Sequence, residues 1–203
     1  SKRNHQVITL TSKVGNSSSV KKIKIYRFFA FHFFAAGNYF AFPSFKRVLS
    51  IFKKEKVEIV QINEPTYLGW QVWKVAKKLG IPVVLGFHIQ VGNILPPYGP
   101  FFLKRFIEAW FSYFFKKGDL VITPSYFAAR ICQRYTHKPI QIVSNGIDLK
   151  KFNPERVDPE EGEKFKERYL LRNSSLLLYV GRLGYEKNLS CLLYTSDAAD
   201  ELD

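Results

Sequence analysis

Arg182 and Lys187 stand five residues apart in LYVGRLGYEKN, residues 178–188, where Gly181 and Gly184 keep the backbone thin. Two cations on a thin loop that follows an apolar run are suited to holding a phosphate or a diphosphate. Other apolar runs are followed by polar groups in the same way. Asn63 and Glu64 come after VEIVQI, His88 after IPVVLGF, and Ser125 after DLVITP. Asn145, Gly146 and Asp148 follow PIQIVS, where Asn145 reads equally as a ligand and as a turn partner of Gly146. A lone histidine is usually structural. His88 rises above that expectation because a buried strand delivers it to the place where a ligand belongs.

These residues work together only if the preceding runs are strands of one sheet. HQVITLTS and VKKIKIYRF alternate as strands, and FPSFKRVLSIFKKEK spaces its apolar residues as one helix face. VEIVQINEP is then a strand, and TYLGWQVWKVAKKLG a helix stopped by Gly80. IPVVLGFH is a continuous apolar strand, FFLKRFIEAWFSYFFKKG a long helix, DLVITPS a strand, YFAARICQRY a helix and PIQIVSNGID a strand. Alternation of this kind predicts an α/β fold, an open parallel Rossmann-like sheet covered by helices over roughly residues 5–148. In such sheets ligands bind beyond the carboxyl ends of the strands, so all the polar groups named above are expected on one rim.

The chain has 203 residues, 46% of them hydrophobic, which is enough for one core and the beginning of a second. Its net charge of +14 points to anionic partners: nucleic acid, acidic lipid or phosphorylated small molecules. Most aromatics lie on apolar strands and helix faces, and no nucleic-acid motif occurs, so a nucleic-acid partner is not expected. Cys132 and Cys191 lack metal-ligand spacing and fit a reduced, cytoplasmic chain. Residues 28–45, FFAFHFFAAGNYFAFPSF, carry no charge, but His32, Gly37, Asn38 and Pro43 argue against a membrane span. They read either as a partly buried aromatic loop or, given the flanking bases Lys21, Lys22, Lys24, Arg27, Lys46 and Arg47, as a membrane-facing surface. In the helix from Phe101, Lys104, Glu108, Ser112 and Lys116 form one narrow polar stripe, which predicts a helix packed into the core.

EIVQINEP…LGWQVWKVAKKLGIPVVLGFH, DLVITPS, IQIVSNGIDLKKF and LLYVGRLGYEKN, in this order and spacing, resemble family-4 glycosyltransferases over nearly the whole chain. That resemblance implies a retaining hexosyltransferase of the two-domain GT-B fold, using a nucleotide-sugar donor with no metal and no other cofactor. It gives Arg182, Lys187 and Gly181 the donor diphosphate and makes His88 the catalytic-site residue near the transferred sugar. Glu64, Asn63, Ser125 and Asn145 would line the acceptor side of the cleft. The NEP and GFH segments are most similar to members that glycosylate lipids, implying a lipid acceptor and a peripheral position on the inner face of an anionic membrane. A soluble sugar acceptor, or a non-enzymatic nucleotide-sugar or lipid binder of the same fold, is the alternative.

The resemblance also divides the chain. Residues 1–148 would form the acceptor-side domain, 149–174 a linker rich in charge, and 175–190 the start of the donor domain, opened by a strand at 176–180. The family begins with a strand and a glycine-rich turn opening onto a helix, whereas SKRNHQV reads as the tail of that helix. A later pair of donor-binding glutamates is expected beyond Asn188. CLLYTSDAADE resembles a translated sequencing adapter, so residues 191–203 are expected to be non-native, and the piece as written to be inactive.

Overall fold

A computed structural model of the protein describes residues 5–13, 23–33, 38–88, 101–156, 158–169, 179–181, 187–191 and 194. The chain divides into two compact units, Ser1–Asn145 and Gly146–Asp203. In the first, strands and helices follow one another as β1 (Ile8–Ser12), β2 (Lys24–Phe28), β3 (Ala30–Phe33), β4 (Asn38–Ala41) and α1 (Phe45–Glu55). They continue with β5 (Val60–Ile62), α2 (Tyr67–Leu79), β6 (Val83–Gly86), α3 (Phe101–Phe115), β7 (Leu120–Thr123), α4 (Tyr126–Cys132) and β8 (Ile140–Ile142).

Strands β5, β6, β7 and β8 form a parallel sheet in chain order, with Val60 opposite Val83, Val84 opposite Leu120 and Val121 opposite Ile140. β-branched and apolar residues make these strands. Val60, Ile62, Val83, Leu85 and Val121 are buried, as expected of a sheet covered by helices. Phe87, Phe114 and Phe115 are the largest fully buried side chains, each contributing about 1.5–3 kcal/mol by its removal from water. The Asp119 carboxylate accepts the Val83 N–H at 2.8 Å, and the Asp119 N–H donates to the Val83 carbonyl at 2.9 Å, fixing the amino end of β6 against β7.

The helix ends follow local chemistry. The Ser44 hydroxyl caps α1 by accepting the Arg47 N–H, and Lys53 and Lys54 sit in its last turn, where the helix dipole favours cations. Gly80 ends α2 at φ 69, a left-handed conformation that costs a glycine nothing. In the second unit, α5 (Pro159–Arg168) starts at Asp158, whose carboxylate accepts the Glu160 N–H, and buries no residue. The strand expected at 176–180 falls largely outside the described residues, and Tyr179 and Val180 are not in a strand. Most of the tail from Cys191 also lies outside them.

Two expectations are corrected. The described residues of the stretch expected as a loop include two strands: β3 and β4 pair antiparallel, with Phe31 opposite Phe40, while β1 and β2 make a separate parallel pair. The run of aromatics has no period-2 alternation of polarity, and only cross-strand pairing reveals it as a hairpin. Helix α3 is core only in its second half. Phe111, Phe114 and Phe115 are buried, but Phe102 and Phe106 are exposed. A 15-residue helix is about 22 Å long, and only its second half packs its phenylalanines into the core beside the sheet. No helix among the described residues is long and apolar enough to cross a membrane.

β2 is tied to α1 through Glu55, whose carboxylate accepts hydrogen bonds from the Lys24 ammonium and the Tyr26 hydroxyl. The Lys24 hydrogen bond, then that of Tyr26, holds the Glu55 carboxyl below its ordinary value of 4.5. Its stabilising effect is therefore present above pH 4.5 and lost as pH falls through the lowered folded value. Thermal melts between pH 3 and 6 should show Glu55→Gln flattening the acid-side decline of the first unit. An identical slope in both proteins would remove Glu55 from that role.

Candidate active site at the carboxyl rim

The parallel register carries β5 and β6 to the same edge, where Asn63 and Glu64 leave β5 and His88 follows Phe87 after β6. Phe87 is 1% exposed and its N–H donates to the Ile122 carbonyl at 2.8 Å, so the buried ladder continues up to the residue before His88. His88 itself is exposed. Its ring folds back over Gly86. A Cβ at Gly86 would lie 2.8 Å from His88 Nε2 and 2.7 Å from Asn63 Oδ1, closer than atoms can pack. The missing side chain at Gly86 is therefore what lets the imidazole and the amide share one spot at the strand ends. Gln61 Nε2 donates to Asn63 Oδ1 at 2.8 Å and orients that amide from within β5.

The turn carrying Asn63 and Glu64 is held from behind. Trp110 Nε1 on α3 donates to the Pro65 carbonyl at 2.6 Å. Gly69, in the first turns of α2, brings the helix so close that an added Cβ would meet the Glu64 carbonyl oxygen at 2.4 Å. Trp70, stacked on Trp73 with ring centroids 4.7 Å apart, fills the space between α2 and α3. The result is a polar, exposed pair, Asn63 and Glu64, on a rigid base.

Other expected residues stand differently. The Ser125 hydroxyl accepts the Ala128 N–H at 3.2 Å and caps α4, so its side chain positions a helix at the rim. Asn145 is exposed in the segment that follows β8, three residues past Ile142. Gly181 and Lys187 are exposed and belong to the second unit, and Arg182 lies outside the described residues. Burial pushes the Cys132 thiol up to about 11, which makes it an inert core group. Among the described residues no group of three or more His, Cys, Asp or Glu side chains is gathered for a metal ion.

Sequence reasoning passed over Gln61, Gly69, Gly86 and Trp110. A glycine inside the helical pattern at 69 and another closing the apolar strand at 86 were the available signals, since both mark close approach.

The two glycines should respond differently to a methyl group. Gly69→Ala forces backbone apart and should lower the thermal midpoint by roughly 3–10 °C. Gly86→Ala should leave the midpoint nearly unchanged while displacing the His88 ring and the Asn63 amide, read as shifts of their side-chain NMR signals. Unmoved signals in folded Gly86→Ala would show that the cradle does not set the pair.

Residues 1–151 match the sequence profile of Glycosyltransferase Family 4. Among curated proteins the chain is similar to the "Sulfoquinovosyl transferase SQD2" of Arabidopsis thaliana, 24% identical over 76% of this chain and 31% of that protein. It is 25% identical to the "Alpha-monoglucosyldiacylglycerol synthase" of Streptococcus pneumoniae, over 95% of this chain and 45% of the relative. The chain thus spans less than half the length of these two relatives. Among solved structures it resembles the Anabaena protein Alr3699/HepE in complex with UDP, with a TM-score of 0.55 at 12% identity, covering 83% of this chain and 51% of that one. The same Anabaena protein in complex with UDP-glucose gives a TM-score of 0.53 at 11% identity, over 85% and 54% of the two chains. These structures share its α/β fold. With three quarters of its residues inside the family profile, the chain belongs to Glycosyltransferase Family 4.

Proposed function

We propose that the protein transfers a hexosyl group from a nucleotide-sugar to a lipid hydroxyl at a membrane surface, with retention at the anomeric carbon and without a metal. The observation that carries this reading is the meeting of Asn63 and His88 at the open end of a Family 4 parallel sheet. An imidazole and an amide crowded onto one exposed spot can hydrogen-bond sugar hydroxyls from two sides, and Glu64 beside them offers an acceptor for the attacking hydroxyl. In the transfer the anomeric carbon loses its bond to the diphosphate oxygen, and the nucleoside diphosphate leaves with the bonding pair. The acceptor hydroxyl then adds to that carbon and passes its proton to the departing diphosphate oxygen. Arg182 and Lys187 stabilise the charge that grows on the diphosphate. The proposal draws support from relatives whose names contain a nucleotide-sugar or a diacylglycerol product, and from a fold neighbour solved with UDP-glucose.

A lipid acceptor is favoured by the surface of the hairpin. Phe29 is 66% exposed and Phe31 61%, their rings meeting edge to face at 4.9 Å. Phe42 continues the patch at 5.7 Å from Phe31, and Tyr67 of α2 lies 5.2 Å from Phe42. Lys46 and Arg47 are exposed next to it on α1. Water-exposed rings held together with bases alongside are what a peripheral membrane contact needs: apolar insertion and attraction to anionic headgroups. The protein would then sit on the cytoplasmic, inner face of the membrane.

Two experiments test these steps on the full-length protein. With UDP-glucose and diacylglycerol vesicles, Arg182→Ala and Lys187→Ala should each lower turnover about 10- to 150-fold, the loss of one charge-assisted contact of about 1.5–3 kcal/mol. His88→Ala should lower turnover with an unchanged thermal midpoint. Unaltered kinetics in all three would remove these residues from the site, and a His88→Ala protein that melts early yet keeps its activity would make His88 structural. In vesicle sedimentation, the protein should pellet with anionic lipid at low salt and less at high salt, and Phe29→Ser/Phe31→Ser should stay in solution. Equal recovery of both proteins on neutral and anionic vesicles would point to a soluble sugar acceptor instead.

A further inference from the structure

Helix α4 is seated on β7 and β8, with Ala129 and Cys132 buried. Its opposite face carries Phe127, Arg130, Ile131 and Arg134, at the i, i+3, i+4 and i+7 spacing of one helical side. Together they line an open cleft of about 300 Å³. Arg134 stands just past the helix but keeps its register. The Gln133 N–H donates to the Ala129 carbonyl and the Arg134 N–H to the Ile131 carbonyl, both at 3.1 Å. The cleft thus has two parallel strips, one cationic, Arg130 and Arg134, and one apolar, Phe127 and Ile131. Both arginines are exposed, and Phe127 is 67% exposed.

Among the described residues neither guanidinium makes an ion pair or a hydrogen bond. The sequence supplies no acid nearby in the chain, since residues 120–147 contain no Asp or Glu. Glu108 of α3 acts on the Tyr135 phenol but is not paired with either arginine. Like charges one turn apart repel, and an anion between them removes that cost. Guanidinium groups so spaced can each offer a fork of N–H donors to one phosphate. The apolar strip beside them selects among phosphates. An inorganic phosphate would leave Phe127 and Ile131 facing water, whereas a phosphate that carries an acyl chain covers both strips.

We propose that the outer face of α4 binds one anionic phospholipid, its phosphate held between Arg130 and Arg134 and the first methylenes of an acyl chain lying along Phe127 and Ile131. The site uses none of the residues of the rim or of the β3–β4 hairpin. It is a binding site for a single lipid molecule, and it stands whether or not the rim transfers sugar.

The test is calorimetric titration of the full-length protein with dihexanoyl phosphatidylglycerol kept below its micelle concentration, so that no bilayer takes part. Inorganic phosphate and dihexanoylglycerol, each half of that ligand, should bind about tenfold more weakly or less. Arg130→Gln/Arg134→Gln should weaken the lipid about tenfold or more, and Phe127→Ser about threefold or more, with thermal midpoints unchanged because these side chains are exposed. Arg130→Lys/Arg134→Lys keeps the charge without the forks and should fall between wild type and the glutamine pair. No binding to the wild type, or equal binding to the glutamine pair, would overturn the proposal. Phosphate binding as tightly as the lipid would overturn it in favour of a free anion, and dihexanoylglycerol doing so would make the arginines bystanders. UDP displacing the lipid and slowing amide exchange at residues 127–134 would overturn it in favour of a nucleotide.

Discussion

Everything at the rim depends on the parallel hydrogen-bond ladder that runs through β5, β6, β7 and β8 in unbroken chain order. Parallel pairing points every strand the same way, so the residue that ends one strand stands beside the residue that ends its neighbour. Asn63 and His88 are 25 positions apart in the chain but meet because Val60 is opposite Val83. The ladder is locked at both ends. Asp119 ties β6 to β7 below, and the Phe87 N–H continues the pairing one residue past β6 above. A shift of one residue would send His88 to the other side of the sheet and turn Leu85 and Val121 out of the core. Core burial and site geometry are thus one constraint.

Behind the ladder, helices α2 and α3 act as a brace. The tryptophans do two jobs: their rings fill the space between helices, and their indole N–H groups reach backbone carbonyls, Trp110 at Pro65 and Trp73 at Lys117. The Pro65 contact matters most for function, since it fixes the turn on which Asn63 and Glu64 are displayed. Exposed polar groups on an unbraced loop would lose much of their orientation to side-chain and backbone freedom. Here that freedom has already been removed by apolar packing, and a sugar hydroxyl meets groups that need little reordering.

The sheet was legible in the sequence because buried parallel strands are continuous runs of Val, Ile and Leu, and VVLG and LVIT have no other economical reading. Gly80 marked the end of α2 for a local reason, its left-handed backbone. The hairpin was not legible: FFAFHFF has phenylalanine at five of its seven positions and one polar residue, His32, so neither face nor partner can be inferred before pairing is known. The exposure of Phe102 and Phe106 on α3 was hidden too, because a polar stripe records the helix's own periodicity and says nothing of how far its support extends. At the site, residue types after strands gave Asn63, Glu64 and His88. The cradle at Gly86 and the brace at Gly69 depend on contacts between distant segments. Ser125 shows the opposite difficulty, as a hydroxyl after a strand serves equally well as a ligand or as a helix cap, and here it caps α4.

The central claim is that ligands are taken at the carboxyl edge of this sheet and nowhere else on it. Amide hydrogen exchange on the full-length protein, with and without UDP-glucose and diacylglycerol vesicles, measures it residue by residue. Within the sheet β5–β8, slowed exchange at residues 63–66, 87–88 and 124–126, with residues 57–59, 81–82 and 139–140 at the amino ends unchanged, is the expected result. Slowing concentrated at those amino ends, with none at the rim, would contradict the account.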